Sequence, residues 1–135
     1  MPGMTLELTI LAWTLVLAVV QIMLPAMFRT QETGVEYNAG PRDEPGPPVG
    51  KVTARLRRAQ ENLYETLPLF AVAVLIAHVA GRDSILTHWG VLFYFIARII
   101  YIPLYGFGIP KVRSMCWILS MFGLALVLIA ILKPS

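Results

Sequence analysis

LTILAWTLVLAVVQIMLPAMF, residues 8–28, holds no Asp, Glu, Lys or Arg. A helix rises about 1.5 Å per residue, so this run matches the ~30 Å hydrocarbon thickness of a bilayer. Inside lipid a helix satisfies every backbone group internally, which an open strand cannot do. The same test applied outward yields further apolar runs, and the spans are expected at 5–28, 59–80, 85–105 and 114–132. The fold class that follows is all-α: an integral membrane four-helix bundle forming a single domain over residues 1–135. No Lys or Arg precedes the first run, and it exceeds the roughly 7–15 residues of a leader's apolar region, so it is expected to remain as a span.

Composition agrees. Of the 135 residues, 57% are hydrophobic with glycine left out of the count, and the mean hydropathy is +0.69. Soluble domains reach about 45–50% with glycine included. The sequence pI of about 9.3 reflects where the cations sit and does not imply a nucleic-acid partner. Arg29, Arg42, Lys51, Arg55, Arg57, Arg58, Lys111 and Arg113 flank or lie in the first and third connections, whereas Arg82 and Lys133 lie on the opposite side. That asymmetry predicts that loops 29–52 and 106–113 are cytoplasmic and both termini outside, in a multi-pass cell-membrane protein. The first connection, with Gly34, Gly40, Pro41, Pro45, Gly46, Pro47, Pro48 and Gly50, is longer than ordinary helix connections. The single cysteine, Cys116, excludes an intrachain disulfide and a cysteine-cluster metal site. It reads as a packing residue. His78 and His88, flanking the short connection at 81–84, read as interfacial side chains, and no metal is implied.

The residues that carry chemistry are those that do not belong in lipid. On the second helix Arg55, Arg58, Asn62 and Glu65 recur at steps of three and four and share one narrow face. On the third, Tyr94, Arg98, Tyr101 and Tyr105 do the same. The second helix leaves the basic side and the third returns to it. Glu65 and Arg98 therefore both lie roughly 10 Å inside the markers Arg58 and Tyr105. They are expected to meet, with Asn62 level with Tyr101. A charge at the membrane centre costs at least about 2.5–3.5 kcal/mol, so such residues pair and face inward. The cluster of Arg55, Arg58, Asn62, Tyr101, Tyr105 and Arg113 supplies more cations than Glu65 neutralises. That surplus suits an anionic ligand, because guanidinium forks hold carboxylates in a bidentate way. Pro25, Pro68 and Pro103 interrupt their helices, and a pocket held open between the second and third helices is one expected consequence.

The segment Arg58-Ala59-Gln60-Glu61-Asn62-Leu63-Tyr64-Glu65-Thr66-Leu67-Pro68-Leu69-Phe70 resembles a signature of the membrane-associated proteins in eicosanoid and glutathione metabolism, the MAPEG family. Ala97-Arg98-Ile99-Ile100-Tyr101, then Tyr105, then Arg113-Ser114, resemble its second half, in order and in the right spans. Gly40-Pro41-Arg42-Asp43-Glu44-Pro45 resembles a bacterial branch, which implies a bacterial inner membrane. The resemblance implies a homotrimer of four-helix protomers that binds glutathione between neighbours on the cytoplasmic side. Carried over residue by residue, it gives Arg58, Gln60, Asn62, Glu65, Tyr101 and Tyr105 as glutathione-binding residues and Arg113 as the catalytic residue that stabilises the thiolate. Arg29 is the match for the arginine that family enzymes carry at the end of the first helix. Thr66 departs from the leukotriene synthase branch, which has tyrosine there.

The implied activity is a glutathione-dependent transferase or peroxidase acting on lipophilic electrophiles or hydroperoxides that enter from the membrane lipids. The alternative is a non-catalytic lipid- or thiol-binding member of the same family. A four-helix cation exporter is a third reading, but it requires a membrane-central carboxylate in the first span, and Glu7 is expected at that span's edge.

Overall fold

The computed structural model describes residues 4–33, 50–106 and 111–133, without the side chains of residues 32, 33, 104–106, 112 and 113. The connections at 34–49 and 107–110, including Arg42 and the motif beginning at Gly40, lie outside the described residues.

Four helices follow in order: α1 (Leu6–Thr33), α2 (Lys51–Val79), α3 (Ile85–Gly106) and α4 (Val112–Leu132). Each is long and apolar enough to cross a membrane. The protein is a multi-pass membrane protein with an all-α fold. Two helix ends differ from the sequence reading. α1 continues beyond residue 28, and α2 begins at Lys51 instead of residue 59. Thr53, Leu56, Ala59 and Leu63 recur at helical steps and are all buried, so the charge-rich start of α2 is an amphipathic extension of the helix. Apolarity marks depth in lipid; it does not mark where the hydrogen-bonded backbone stops.

The distribution of polarity is that of a membrane bundle. Val79, Ile85, Met115 and Leu132 stand exposed, while Glu7, Thr14, Gln21, Thr66, Thr87, Arg98 and Ser120 are buried. The core joins Ile10, Leu11 and Ala18 of α1, Leu63, Phe70 and Val74 of α2, Val91 and Tyr94 of α3, and Leu124 and Val127 of α4. Phe70 and Tyr94 stack with ring centroids 3.9 Å apart. α3 and α4 cross closely at two glycines. A Cβ on Gly90 would stand 2.6 Å from the carbonyl oxygen of Gly123, and one on Gly123 would stand 2.5 Å from that of Gly90. Small residues at a crossing let backbones approach in lipid, where packing takes over from the hydrophobic effect.

Three contacts bring the start of α1, the turn between α2 and α3, and the end of α4 to one end of the bundle. His88 Nδ1 faces the Glu7 carboxylate. Arg82 Nη1 donates to the Lys133 carbonyl oxygen at 2.9 Å, and His78 Nδ1 stands 3.9 Å from Asp83. Glu7, expected at the edge of its span, is fully buried. The spacing explains why: Glu7, Thr14 and Gln21 are seven apart, share one face of α1, and are all turned into the bundle. The basic ends of the helices lie at the other end, near Arg29, Lys51 and Lys111.

Candidate functional site

α2 presents polar groups in three directions, and the rotation of about 100° per residue decides which is which. Asn62 and Thr66, four apart, reach α3. Arg98 Nη1 donates to Asn62 Oδ1 at 2.7 Å, and Nη2 donates to the Asn62 backbone carbonyl at 3.2 Å and to Thr66 Oγ1 at 2.9 Å. Thr66 Oγ1 also lies 2.8 Å from the Tyr94 hydroxyl. The guanidinium carbon stands 5.6 Å from the Tyr94 ring centroid and 5.4 Å from that of Tyr101. Tyr94, Arg98 and Tyr101 are all buried, so the face read for α3 is turned into the bundle.

The expected pair of Glu65 and Arg98 does not form. Glu65 is exposed, and Asn62, expected level with Tyr101, takes the guanidinium with Thr66 instead. Glu65 is one residue from Thr66, and that single step turns its side chain about 100° away from the α3-facing side. A matched depth was necessary for the contact but was not sufficient. Thr66, which stood out in the sequence only as a departure from a related branch, is the residue that replaces the carboxylate. Its i, i+4 spacing from Asn62 is the signal that could have found it.

Glu65 and Asn62 instead line a cavity of about 420 Å³ with Ser114, Trp117 and Ile118 of α4. Arg113 and Tyr105 belong to this region by their backbones: Arg113 precedes Ser114 in the first turn of α4, and Tyr105 lies at the end of α3. Their side chains lie outside the described residues. Gln60 opens elsewhere. It lines a second cavity, of about 200 Å³, with Arg57 of α2 and with Ile22, Pro25, Ala26, Arg29 and Thr30 of α1. Its Nε2 also reaches the Tyr64 hydroxyl at 3.1 Å. Arg29 is buried at the end of α1, and Arg58 is exposed on α2, between Arg57 and Gln60 of the α1-side cavity in sequence. Among the described side chains, Gln60 therefore opens on the α1 side of α2, Asn62 and Glu65 open on the α4 side, and Tyr101 is buried in the bundle.

Two further expectations find their places. Cys116 is a buried packing residue against Ala59 and Tyr101. Pro68, with Leu69, Val72, Ala73 and Ile76, lines an apolar groove of about 350 Å³ on the α4 side, closed by Leu124 and Leu128 of α4.

Comparison with protein-family models matches residues 10–133 to the MAPEG family. Comparisons with curated proteins and with solved structures gave no significant match.

Proposed function

The chain belongs to the MAPEG family, and on that premise we propose that it binds glutathione and raises the reactivity of its thiol toward lipophilic electrophiles or hydroperoxides. The observation that carries this reading is the polar face of α2. The Asn62 amide and the Glu65 carboxylate stand together in the cavity beside Ser114, one residue from Arg113. An amide and a carboxylate side by side complement a small zwitterionic peptide that carries both carboxylates and an ammonium group. The division of the site supports the assembly. Gln60 and Arg29 open on the α1 side, whereas Asn62 and Glu65 open on the α4 side. A second copy of the chain, in a homotrimer, would bring the two halves together around one ligand. The positive-inside bias supports a cytoplasmic position for this end of the bundle and for the glutathione proposed to bind there.

The chemistry required is modest. A thiol with a pKa near 8.5 is only a few per cent ionised at pH 7. Lowering that value by two units takes about 2.7 kcal/mol of preferential stabilisation of the anion. A guanidinium at Arg113 in a partly desolvated site can supply it. The thiolate then forms a carbon–sulfur bond to an electrophile, and the displaced electron pair leaves with the leaving group or is protonated. With a hydroperoxide, sulfur takes the distal oxygen and releases an alcohol. The resulting sulfenic acid is closed by a second glutathione to a disulfide and water. Calorimetric titration of the detergent-purified protein with glutathione tests the premise. Saturable binding that weakens in Asn62→Ala is expected, and absence of binding to the wild-type protein contradicts the reading.

A further inference from the structure

The Asn62 side chain has two ends, and the structure shows which one the bundle uses. A guanidinium carries five N–H donors and no acceptor. The atom that Arg98 Nη1 contacts at 2.7 Å must therefore be the amide oxygen, and the alternative flip of Asn62 would set donor against donor. Arg98 is itself 1% exposed and held on its other side by the Asn62 backbone carbonyl and Thr66. The Arg98 side of the contact is almost closed to solvent. Asn62 is half-buried and lines the α4-side cavity, where its Nδ2 has no hydrogen-bond partner among the described residues.

We infer that Arg98 is a positioning residue: by occupying the Asn62 amide oxygen it turns Asn62 into a donor-only group, so that the cavity takes a carboxylate or carbonyl oxygen at Asn62 beside an ammonium or N–H group at Glu65. The identity of the ligand rests on the glutathione reading above, whereas the orientation of Asn62 does not. The polarity of the site is thus written on α3, in a residue that does not touch the ligand. It also gives a buried cation opposite neutral acceptors a role in the site. Replacing Arg98 by an apolar residue would let the amide rotate and present either end.

The substitution Asn62→Asp separates the two roles. A carboxylate keeps the oxygen facing Arg98 and gives the guanidinium a counter-charge, while removing the donor from the cavity and putting an acceptor in its place. The expected result is a higher melting temperature in detergent together with a loss of glutathione affinity of about tenfold or more, as befits a lost hydrogen bond to a charged group. A lower melting temperature would overturn the assigned orientation. A higher melting temperature with unchanged affinity would show that Asn62 holds the bundle without reading a ligand, and would overturn the positioning role. Should the wild-type protein bind no glutathione while Asn62→Asp is stabilised, the glutathione reading fails and the orientation stands.

Discussion

Arg98 lies inside a transmembrane bundle with two neutral oxygen-bearing side chains and two aromatic faces around its guanidinium. A charge at that depth is expected to be paired, and a carboxylate at the right depth is present in Glu65. Yet the nearest acceptors are Asn62 and Thr66. Depth and face are separate coordinates: the rise of the helix fixes the first, and its rotation fixes the second. A sequence gives the depth readily, whereas the inward direction of a helix depends on how it packs. The consequence is measurable. In double-mutant cycles, Arg98→Leu and Thr66→Val are expected to couple, because each removes a partner that the other leaves buried, at about 1–3 kcal/mol per orphaned group. Arg98→Leu and Glu65→Gln are expected to be additive. Coupling of Arg98 to Glu65 in place of Thr66 would contradict the hydrogen bonds described here.

At the scale of the helices, the apolar runs made four spans legible, because lipid leaves a chain of this composition few other structures. The ends were less legible. The start of α2 is charged, so a reading based on apolarity stops short of Lys51, although buried Thr53 and Leu56 carry the helical spacing that marks it. The inward face of α1 was readable in principle from Glu7, Thr14 and Gln21 at intervals of seven, but two of the three are neutral and stand out little in an apolar run. The α3–α4 crossing was not readable, since a glycine in a transmembrane run signals a close approach only once its neighbour is known. At that crossing Gly90→Ala is expected to lower the melting temperature in detergent, with overpacking of about 1–3 kcal/mol, because the new Cβ meets the backbone oxygen of Gly123 and not a side chain that can move. A variant as stable as the wild-type protein would show that the two helices separate at little cost.

At the scale of the whole molecule, the polarity is inverted relative to a soluble protein, and the two cavities that hold candidate residues open on opposite sides of α2. The sequence motif named the residues of both cavities without separating them, because adjacent positions on one helix look like one cluster until their directions are known. What unites them in the proposed function is a single chemical demand: stabilising the anion of a bound thiol. Arg113, at the start of α4 next to Ser114 of the cavity wall, is the residue assigned to it. A charge that acts on the thiolate, and not on the ligand as a whole, should change the ionisation of bound glutathione more than its affinity. The most direct measurement is therefore an ultraviolet titration of the thiolate of glutathione bound to the detergent-purified protein, in the wild-type protein and in Arg113→Ala. A bound thiol pKa about two units below the free value of roughly 8.5 in the wild-type protein, returning toward it in a well-folded Arg113→Ala variant, is the predicted result. A bound thiol that titrates as it does free in solution, or an Arg113→Ala variant that titrates as the wild-type protein does, would contradict the account.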